Sequence, residues 1–370
     1  MSERVVLISP YALSVYGGVQ EQVLAMSRVL SRRGDEVLVI VPDARDHTTY
    51  DTAAKVLRLG PRFSVPANGS RAPLTLSPVA SWRAKDAVTF FRPDIVHVHE
   101  PFAPLLAWST LLAHECPTLG TFHRSGDGPA LRYTRPLIRH LAGRLDDTVA
   151  VSEPAAATIE RAAGVKSDVL FNGFETERFT ETPRERSVET VLFFVGRLEQ
   201  RKGVATAIEA TREHNAKQGT PWRLVIGGDG PERARLEALA AHDPRVVFLG
   251  RISDAEKRSW MRRVHALIAP STHGESFGLV LLEAMASETL VVASDINGYR
   301  EATDGHATLF QPGDAASLER AVLYALEGET DEKVAAARDY AQNWSMARLM
   351  DKYQERYELA RRRFKDQELA

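Results

Sequence analysis

The segment VLFFVGRLEQRKGV, residues 191–204, decides the fold. A short apolar run, Val191–Val195, ends in the polar loop Gly196–Gly203, and a helical stretch follows. A strand that leads through a glycine-containing loop into a helix is the repeating unit of a parallel sheet covered by helices. Arg197 and Lys202 in this loop form a cationic pair suited to phosphate oxygens, and a solvated charge run is the alternative interpretation.

The same alternation of short apolar runs and helical stretches extends along the whole chain. It predicts strands at Val5–Ser9, Val37–Val41, Ile95–His99, Thr118–Phe122, Thr148–Val151, Val191–Val195, Trp222–Ile226, Val246–Leu249, Ala266–Ala269 and Leu290–Ala293. It predicts helices at Val19–Arg33, Pro78–Phe91, Pro154–Ala163 and Trp344–Phe364. The expected fold class is therefore α/β, with Rossmann-like, doubly wound parallel sheets.

The length of the chain favours two domains, because 370 residues exceed what one hydrophobic core usually fills. Residues 172–189 are polar and rich in turn formers, so we place the connection there. The predicted first domain spans residues 1–175 and is completed by the C-terminal helix at 345–370, and the second spans residues 176–344. We expect them to face each other across a cleft, with ligands at the carboxyl ends of the strands.

Composition excludes several classes of function. A formal net charge of -2 at pH 7 argues against a nucleic-acid binder. The single cysteine, Cys116, rules out an intramolecular disulfide and fits a reducing compartment. No stretch of roughly 18 apolar residues is present to span a membrane, and the opening MSERVVLISPY suits a first strand better than a signal peptide. These features predict a cytoplasmic protein that is still compatible with contact to a membrane surface.

The glycine-rich turn His273–Gly278 is the strongest sign of a ligand site. It follows the strand that ends at Ala269 and leads into a helix, whose N-terminal N–H groups suit a diphosphate. Glu275 and Glu283 can address two parts of one extended ligand, since carboxylates accept hydrogen bonds from vicinal sugar hydroxyls. The alternative for Glu283 is a solvated helix residue.

Two further segments follow predicted strands of the first half. Tyr16-Gly17-Gly18 opens the first helix and is interpreted as a phosphate approach loop, with a plain turn as the alternative. It is not the full dinucleotide-binding fingerprint, which argues against a dehydrogenase. His123 follows the strand Thr118–Phe122, where it can hydrogen-bond a sugar hydroxyl or an acceptor, and a structural histidine is the alternative.

We expect no metal site. His97 and His99 share one face of a strand, whereas Glu100 points away and no third ligand is evident. No Asp-x-Asp pair that would chelate a metal-bound nucleotide occurs in the sequence. For Gly227–Gly230, a ligand-binding loop and a simple strand-to-helix loop are equally open.

In their order along the chain, these segments resemble the retaining family 4 glycosyltransferases of the GT-B fold. The residues that carry the resemblance are Gly17–Gly18, His97–Pro101, Phe122–His123, Val151–Ser152, Asn172–Gly173, Gly196–Arg197, Arg201–Gly203, Gly227–Gly230 and His273–Glu283. Within that family, the actinobacterial phosphatidylinositol α-mannosyltransferases, which use GDP-mannose, are the most similar group. The residues that indicate this group are Pro10–Tyr11, Gly17–Gln20, Val65–Ser70, His99–Pro101, Thr121–His123, Gly274–Gly278 and Glu283.

The resemblance implies transfer from a nucleotide sugar with retained anomeric configuration and without a metal cofactor. The residues it implies for catalysis are His123, Arg197, Lys202 and Glu275. Those it implies for binding the nucleotide sugar are Gly18, Arg197, Lys202, Ile252, Asp254, Lys257, Glu275, Ser276, Phe277, Gly278, Leu279 and Glu283. Those it implies for the acceptor are Tyr11, Gln20, Asn68, Ser70 and His123.

Within these sets, the resemblance gives each part of the donor its own residues. Arg197 and Lys202 would hold the diphosphate, and Glu283 the ribose. Asp254 and Lys257 match the place where the related enzymes read the base. Glu275, in the glycine-rich turn, would hold the donor sugar.

The lipid acceptor rests on fewer matching residues. The related enzymes carry a markedly basic helix for docking on anionic lipid, whereas Pro78–Phe91 offers only Arg83 and Lys85. A second candidate for membrane contact is Leu131–Leu141, where arginines recur at near-helical spacing among apolar residues. For that segment, an ordinary surface helix with its apolar side on the core is equally open.

The function that the resemblance implies is transfer of mannose from GDP-mannose to phosphatidyl-myo-inositol, or a related inositol lipid, at the cytoplasmic face of the membrane. The alternative is a family 4 enzyme with another nucleotide sugar and a soluble or polyprenyl-linked acceptor. A non-catalytic sensor of sugar nucleotides is the competing class. The presence of every implied leaving-group contact argues against a sensor, and no nucleic-acid partner is expected.

Overall fold

The computed structural model describes residues 2–15, 17–67, 70–124, 134–181, 183–185, 187–217, 220–275 and 278–369. By its contacts the chain divides into two compact units. Unit 1 consists of Met1–Phe174 and Met346–Ala370, and unit 2 consists of Glu175–Ser345.

Unit 1 is built on a parallel sheet. Its strands are β1 (Arg4–Ile8), β2 (Glu36–Pro42), β3 (Lys55–Leu59), β4 (Phe63–Ala67), β5 (Ser70–Leu74), β6 (Ile95–His99), β7 (Thr118–Phe122), β8 (Asp147–Ala150) and β9 (Asp168–Val169). In the described part of the unit, the sheet order is β3-β2-β1-β6-β7-β8-β9, and β4 and β5 form a separate antiparallel hairpin. The helices are α1 (Gly18–Arg32), α2 (Pro78–Phe91), α3 (Trp108–Ala113), α4 (Arg135–Ala142), α5 (Glu153–Ala163) and, at the C-terminus, α13 (Met346–Glu368).

Unit 2 repeats this plan with fewer strands. They are β10 (Thr190–Val195), β11 (Trp222–Gly227), β12 (Val246–Gly250), β13 (Ala266–Ala269), β14 (Leu290–Ser294) and β15 (Thr308–Phe310), in the parallel order β12-β11-β10-β13-β14-β15. The helices are α6 (Val204–Asn215), α7 (Arg233–Ala240), α8 (Asp254–Arg263), α9 (Leu279–Ala286), α10 (Asn297–Thr303), α11 (Ala315–Glu327) and α12 (Asp331–Ala341). Short 3-10 helices lie at Thr176–Phe179, Gln200–Lys202 and Gln342–Trp344.

The central strand of unit 1 shows why an unbroken apolar run becomes a buried strand. Val5 and Leu7 of β1 pack in a core with residues of α1 and α13. Val6 and Ile8 point to the opposite face, into a core with residues of α2 and α3. Because alternate side chains face opposite sides of a sheet, a strand covered by helices on both sides needs apolar residues at every position. Each such side chain contributes roughly 1.5–3 kcal/mol of burial free energy.

The C-terminal helix α13 belongs to unit 1 although its sequence follows unit 2. The backbone N–H of Met346 donates to the carbonyl of Phe174 at 2.7 Å, where the chain returns. Arg356 donates to both carboxylate oxygens of the buried Asp147, each at 2.6 Å. The ring of Tyr357 is fully buried in the core beside β1. Apolar burial and a bidentate ion pair therefore fix α13 on the sheet.

The fold class predicted from the sequence is confirmed, and the predicted strands all occur. The sequence pattern missed β3, the β4–β5 hairpin, β9 and β15. The hairpin breaks the alternation of strand and helix, and proline at positions 66 and 73 hides its strand character. The other three lie at or next to sheet edges and are short or only partly buried, so they lack a strong apolar signal.

Candidate active site

In unit 2 the site residues follow two adjacent strands. In the sheet order, β10 lies between β11 and β13, so the connections after β10 and after β13 leave towards opposite faces. Such a point opens a crevice at the carboxyl ends of the strands, where ligands of doubly wound sheets bind. The loop after β10 and the loop after β13 contact each other there: the N–H of Thr272 donates to the carbonyl of Arg201 at 2.8 Å.

Gly203 allows this close contact. It has a φ of 64°, and a Cβ atom would lie 1.9 Å from the carbonyl oxygen of Pro270. No other residue fits this position without moving one of the loops. The glycine thus sets the distance between the loop that carries Lys202 and the loop that carries Glu275.

Five charged side chains of these loops form what we call the loop charge cluster: Arg197, Glu199, Arg201, Lys202 and Glu275. Lys202 Nζ lies 2.7 Å from Glu275 Oε1, and Arg201 Nη1 donates to the same oxygen at 2.6 Å. Glu199 pairs with both arginines: its Oε2 lies 2.9 Å from Arg201 Nε, and its Oε1 lies 3.1 Å from Arg197 Nε. The predicted catalytic groups of unit 2 are therefore brought together.

Burial differs within this cluster. The side chains of Lys202 and Glu275 are 19% and 13% exposed, so a solvated charge run is the wrong interpretation for Lys202. Arg197 is 57% exposed and bonds only to Glu199 among the described residues. Burial lowers the pKa of Arg201, but the carboxylates of Glu275 and Glu199 outweigh it and raise that pKa. The two carboxylates of the cluster thus pair with its three basic side chains.

A second charged group holds the residues predicted for the base and the ribose. Lys257 Nζ lies 2.7 Å from Glu283 Oε1 and 3.0 Å from Asp254 Oδ1. Glu283 is 9% exposed, so a solvated helix residue is the wrong interpretation. Burial raises the pKa of Asp254, but the charges of Lys257 and Arg258 outweigh burial. The net pKa is lowered, and the carboxylate is ionised. The capping box at Ser253 begins α8 and thereby places Asp254 and Lys257 on its first turn.

The glycine-rich loop Gly227–Gly230 supports the Arg197 loop. Gly228 has a φ of 142°, and a Cβ atom there would lie 1.9 Å from the carbonyl oxygen of Gly196. The N–H of Leu198 donates to the carbonyl of Asp229 at 3.0 Å. The loop therefore connects β11 to α7 and also fixes the backbone of the Arg197 loop.

In unit 1, three histidines form what we call the histidine cluster: His97, His99 and His123. The rings of His97 and His99 lie on one face of β6 and stack with centroids 4.4 Å apart, as the strand period predicted. His99 Nδ1 lies 2.9 Å from His123 Nε2. His97 bonds to the hydroxyls of Tyr357 at 2.9 Å and Thr121 at 2.7 Å.

The histidine cluster is neutral at pH 7. Burial lowers the pKa of His97 to about 3 and that of His123 to about 4, and it lowers the pKa of His99 well below its usual value. Glu100 turns away from the rings and accepts from the backbone N–H groups of His123 and Arg124, both at 2.6 Å. In the described ranges, no group of three His, Cys, Asp or Glu residues is placed to hold a metal ion.

The remaining predicted residues of unit 1 lie near the ends of β1 and α1. Gly18 begins α1, and a Cβ atom there would meet nothing within 4 Å. Gln20 is buried and its Nε2 donates to the carbonyl of Ala12 at 3.4 Å. Burial raises the pKa of the half-buried Tyr11, and the charge of Glu100 raises it further. Ser70 begins β5.

Three predicted residues, Asn68, Ser276 and Phe277, lie outside the described residues. Ile252 precedes α8, Leu279 is the first residue of α9, and Gly278 caps that helix. The sequence analysis gave no role to Arg201 or His99, which contact Glu275 and His123 directly. The sequence features that could have indicated them are the position of Arg201 next to Lys202 and the position of His99 at the end of β6.

Two surfaces bear on membrane contact. Ile138 and Leu141 of α4 are buried, so the apolar side of this helix faces the core, as expected for an ordinary surface helix. Leu131–Tyr133, the start of the segment considered for membrane contact, lies outside the described residues. On α2, by contrast, Trp82 and Phe90 are 72% and 90% exposed. No helix in the described part of the chain is long and apolar enough to cross a membrane.

Comparison with known proteins agrees with this geometry. Residues 16–178 match the family model Glycosyltransferase Family 4, and residues 175–344 match the model Glycosyl transferases group 1. The phosphatidyl-myo-inositol mannosyltransferase of Mycobacterium tuberculosis (strain CDC 1551 / Oshkosh) is 34% identical over 328 residues, which cover 86% of this chain and 85% of the relative. The chain belongs to the family 4 glycosyltransferases.

A second sequence relative and a solved structure are also similar to this family 4 glycosyltransferase. The phosphatidyl-myo-inositol mannosyltransferase of Mycolicibacterium smegmatis (strain ATCC 700084 / mc(2)155) is 33% identical, over 95% of this chain and 93% of the relative. The crystal structure of a glycosyltransferase from Rickettsia africae ESF-5 superposes with a TM-score of 0.71 over 97% of this chain and 98% of that chain, at 18% identity. The structural likeness establishes the GT-B fold.

Proposed function

We propose that this glycosyltransferase transfers mannose from GDP-mannose, with retained anomeric configuration, to phosphatidyl-myo-inositol or a related inositol lipid at the cytoplasmic face of the membrane. The observation that carries the proposal is the contact of Lys202 with Glu275 at the carboxyl ends of β10 and β13. It occurs in a chain that is 34% identical to a phosphatidyl-myo-inositol mannosyltransferase.

The donor would bind by exchanging ion pairs. Carboxylates of the loop charge cluster pair with Arg197 and Lys202. A diphosphate offers the cations more charge than one carboxylate does, which releases Glu275 to accept hydrogen bonds from sugar hydroxyls. Glu283 would accept from the ribose hydroxyls, and Lys257 would then turn towards the base.

The transfer step is proposed as front-face substitution without a metal. The bond between the anomeric carbon and the phosphate oxygen breaks, and a bond from that carbon to an inositol oxygen forms on the same face. The proton of the inositol hydroxyl passes to the departing phosphate oxygen. Arg197 and Lys202 would stabilise the charge that develops on the diphosphate, which is the contribution expected of preorganised cations.

Membrane contact is proposed for the exposed face of α2. Val79, Trp82 and Phe90 lie on this face, and Arg83 and Asp86 are exposed beside them, whereas Lys85 is half-buried and pairs with Glu115 at 3.0 Å. Aromatic side chains with adjacent cations favour the interface between headgroups and acyl chains. The helix thus compensates for its low number of basic residues with exposed apolar area.

Product formation tests the donor and the acceptor together. GDP-mannose and UDP-glucose are each incubated with phosphatidylinositol liposomes and with free inositol, and lipid and soluble products are separated. Mannosylated lipid from GDP-mannose alone is the expected result. Nucleotide release without a lipid product would discard the lipid acceptor, and a product from UDP-glucose alone would discard the donor.

Liposome co-sedimentation tests the membrane surface. The double variant Trp82→Ser/Phe90→Ser is expected to reduce the liposome-bound fraction about tenfold or more, because two exposed aromatic side chains leave the interface. Tyr324→Ser, which removes an aromatic residue that is 67% exposed in unit 2, is the matched control. Equal binding of both variants would show that α2 is not the contact surface.

A further inference from the structure

The contact between His99 and His123 contains information on the chemistry of His123. The atoms that approach are His99 Nδ1 and His123 Nε2, 2.9 Å apart. Both rings are neutral at pH 7, because burial lowers the pKa of each. A neutral imidazole has one N–H and one lone pair, so one of the two rings donates and the other accepts. Two arrangements of protons are therefore compatible with the distance.

The second nitrogen of His99 distinguishes them. Nε2 of His99 is buried and has no hydrogen-bond partner among the residues that the structure describes. If His123 donated, His99 would have to carry its proton on Nε2, as a buried N–H without an acceptor. Unpaired buried N–H groups are rarer in proteins than unused acceptor lone pairs, and each one loses its hydration without compensation.

We propose that His99 donates from Nδ1–H to Nε2 of His123 and thereby holds His123 in the tautomer that carries its proton on Nδ1. No residue in the described ranges bonds to Nδ1 of His123, so this N–H is available to a ligand. His123 then acts as a hydrogen-bond donor to a hydroxyl or phosphate oxygen, and its Nδ1 cannot accept a proton as a general base. His99 is a positioning residue. The choice of ligand rests on the proposed function, whereas the tautomer does not.

Nitrogen NMR on the full chain tests the tautomer directly. Long-range proton–nitrogen correlation spectra of protein labelled with [15N]histidine distinguish Nδ1–H from Nε2–H rings. The signals of His123 are those lost in His123→Gln. The expected result is the Nδ1–H pattern for His123 at pH 7, and the Nε2–H pattern would overturn the inference.

Two variants of His99 test its effect on transfer. His99→Asn keeps an amide N–H close to the position of Nδ1, whereas His99→Leu removes the donor. We expect kcat to fall about tenfold or more in His99→Leu, since a lost buried hydrogen bond has about this effect. His99→Asn should recover most of the rate. Equal losses in both variants would contradict the donor role.

Tyr357→Phe is the matched control in the same cluster, because it removes a hydroxyl from His97 and leaves the His99 contact in place. It should keep the Nδ1–H pattern of His123, and loss of that pattern would overturn the assignment to His99. If His99→Leu does not fold, the spectrum of the unchanged protein still decides the tautomer. An active enzyme with the Nε2–H pattern would contradict this inference alone. The Nδ1–H pattern in a protein without mannosyl transfer would contradict only the proposed function.

Discussion

The histidine cluster of unit 1 and the loop charge cluster of unit 2 are organised by opposite physical means. His97, His99 and His123 are neutral and are joined by hydrogen bonds between buried or half-buried groups. Arg201 and Lys202 are partly exposed and pair with the carboxylate of Glu275, which the proposed donor phosphate would replace. Both clusters lie in or directly after central strands of a parallel sheet, so the fold does not cause the difference.

The difference follows from what each cluster has to do. A neutral network in the interior gains little from rearrangement, because every broken hydrogen bond leaves an unpaired group. A partly buried ion pair contributes less net free energy than its Coulomb attraction, because both charges lose hydration when they pair. The first arrangement fixes the geometry of a ring, and the second suits the proposed binding of an anionic donor.

Replacement of Lys202 gives the largest expected effect. Lys202→Ala should lower kcat about 100- to 1000-fold, because one cation is lost from the departing diphosphate. Its effect on the free energy of unfolding should stay within about 1 kcal/mol, since Arg201 still bonds to Glu275. Steady-state kinetics with the donor varied, together with urea unfolding, measure both quantities.

The matched control for Lys202→Ala is Arg235→Ala, which removes an exposed cation of α7 that bonds to Glu232. It should leave kcat and stability unchanged. We take roughly threefold as the context dependence of such effects. If kcat of Lys202→Ala lies within that margin of the control, Lys202 does not stabilise the transition state. That result would also end the functional contrast between the two clusters.

Acid should destabilise the protein through the histidine cluster. The folded pKa values of His97 and His123 are about 3 and 4, whereas unfolded histidine titrates near 6.5. Below pH 6.5 the unfolded chain therefore binds more protons, and each buried histidine lowers the free energy of unfolding by about 1.4 kcal/mol per pH unit. The raised pKa of the buried Glu100 opposes part of this loss, since its protonation favours the folded state as pH falls.

Urea unfolding at pH 6.5, 5.5 and 4.5 measures this dependence. His97→Gln should reduce the slope of stability against pH by about 1.4 kcal/mol per unit. His242→Gln, which replaces an exposed histidine, serves as the control and should leave the slope unchanged. An unaltered slope in His97→Gln would mean that His97 is not held neutral in the folded protein.

The sequence made the two clusters unequally predictable. The loop charge cluster lies in two short motifs, so strand position and residue type were enough to propose Arg197, Lys202, Glu275 and Glu283 for one site. Pairing within it could not be predicted, because the contact of Lys202 with Glu275 joins residues 73 positions apart.

The histidine cluster was harder to predict from the sequence, because its contacts join residues that are even further apart along the chain. The strand period placed His97 and His99 on one face, but Tyr357, which binds His97, is 260 residues away in sequence. The alternation of strand and helix predicted the central strands of both sheets, whereas the hairpin and the edge strands β3, β9 and β15 were missed. Local patterns thus predicted the elements and their ends, and only the tertiary structure gave the partners.

The smallest expected effect on stability concerns Gly18, which lies in the same unit as the histidine cluster but is predicted to meet the donor phosphate. A Cβ atom at Gly18 would contact nothing in the protein, so Gly18→Ala should raise the free energy of unfolding by about 0.5–1 kcal/mol through helix propensity. The added methyl group would occupy space expected for the phosphate. We expect the donor KM to rise about tenfold, as for about 1.4 kcal/mol of steric cost.

Gly17→Ala separates this effect from a general change in the turn. A Cβ atom at Gly17 would lie 2.5 Å from Oε1 of Gln20, a residue predicted to face the acceptor. This variant should therefore displace the Gln20 amide and raise the acceptor KM, with a smaller change in the donor KM. Kinetics with each substrate varied in turn test both variants. An unchanged donor KM in Gly18→Ala, with stability raised as expected, would exclude a phosphate from the start of α1. Donor binding would then rest on the loop charge cluster and the Lys257–Glu283 pair, and unit 1 would serve the acceptor alone.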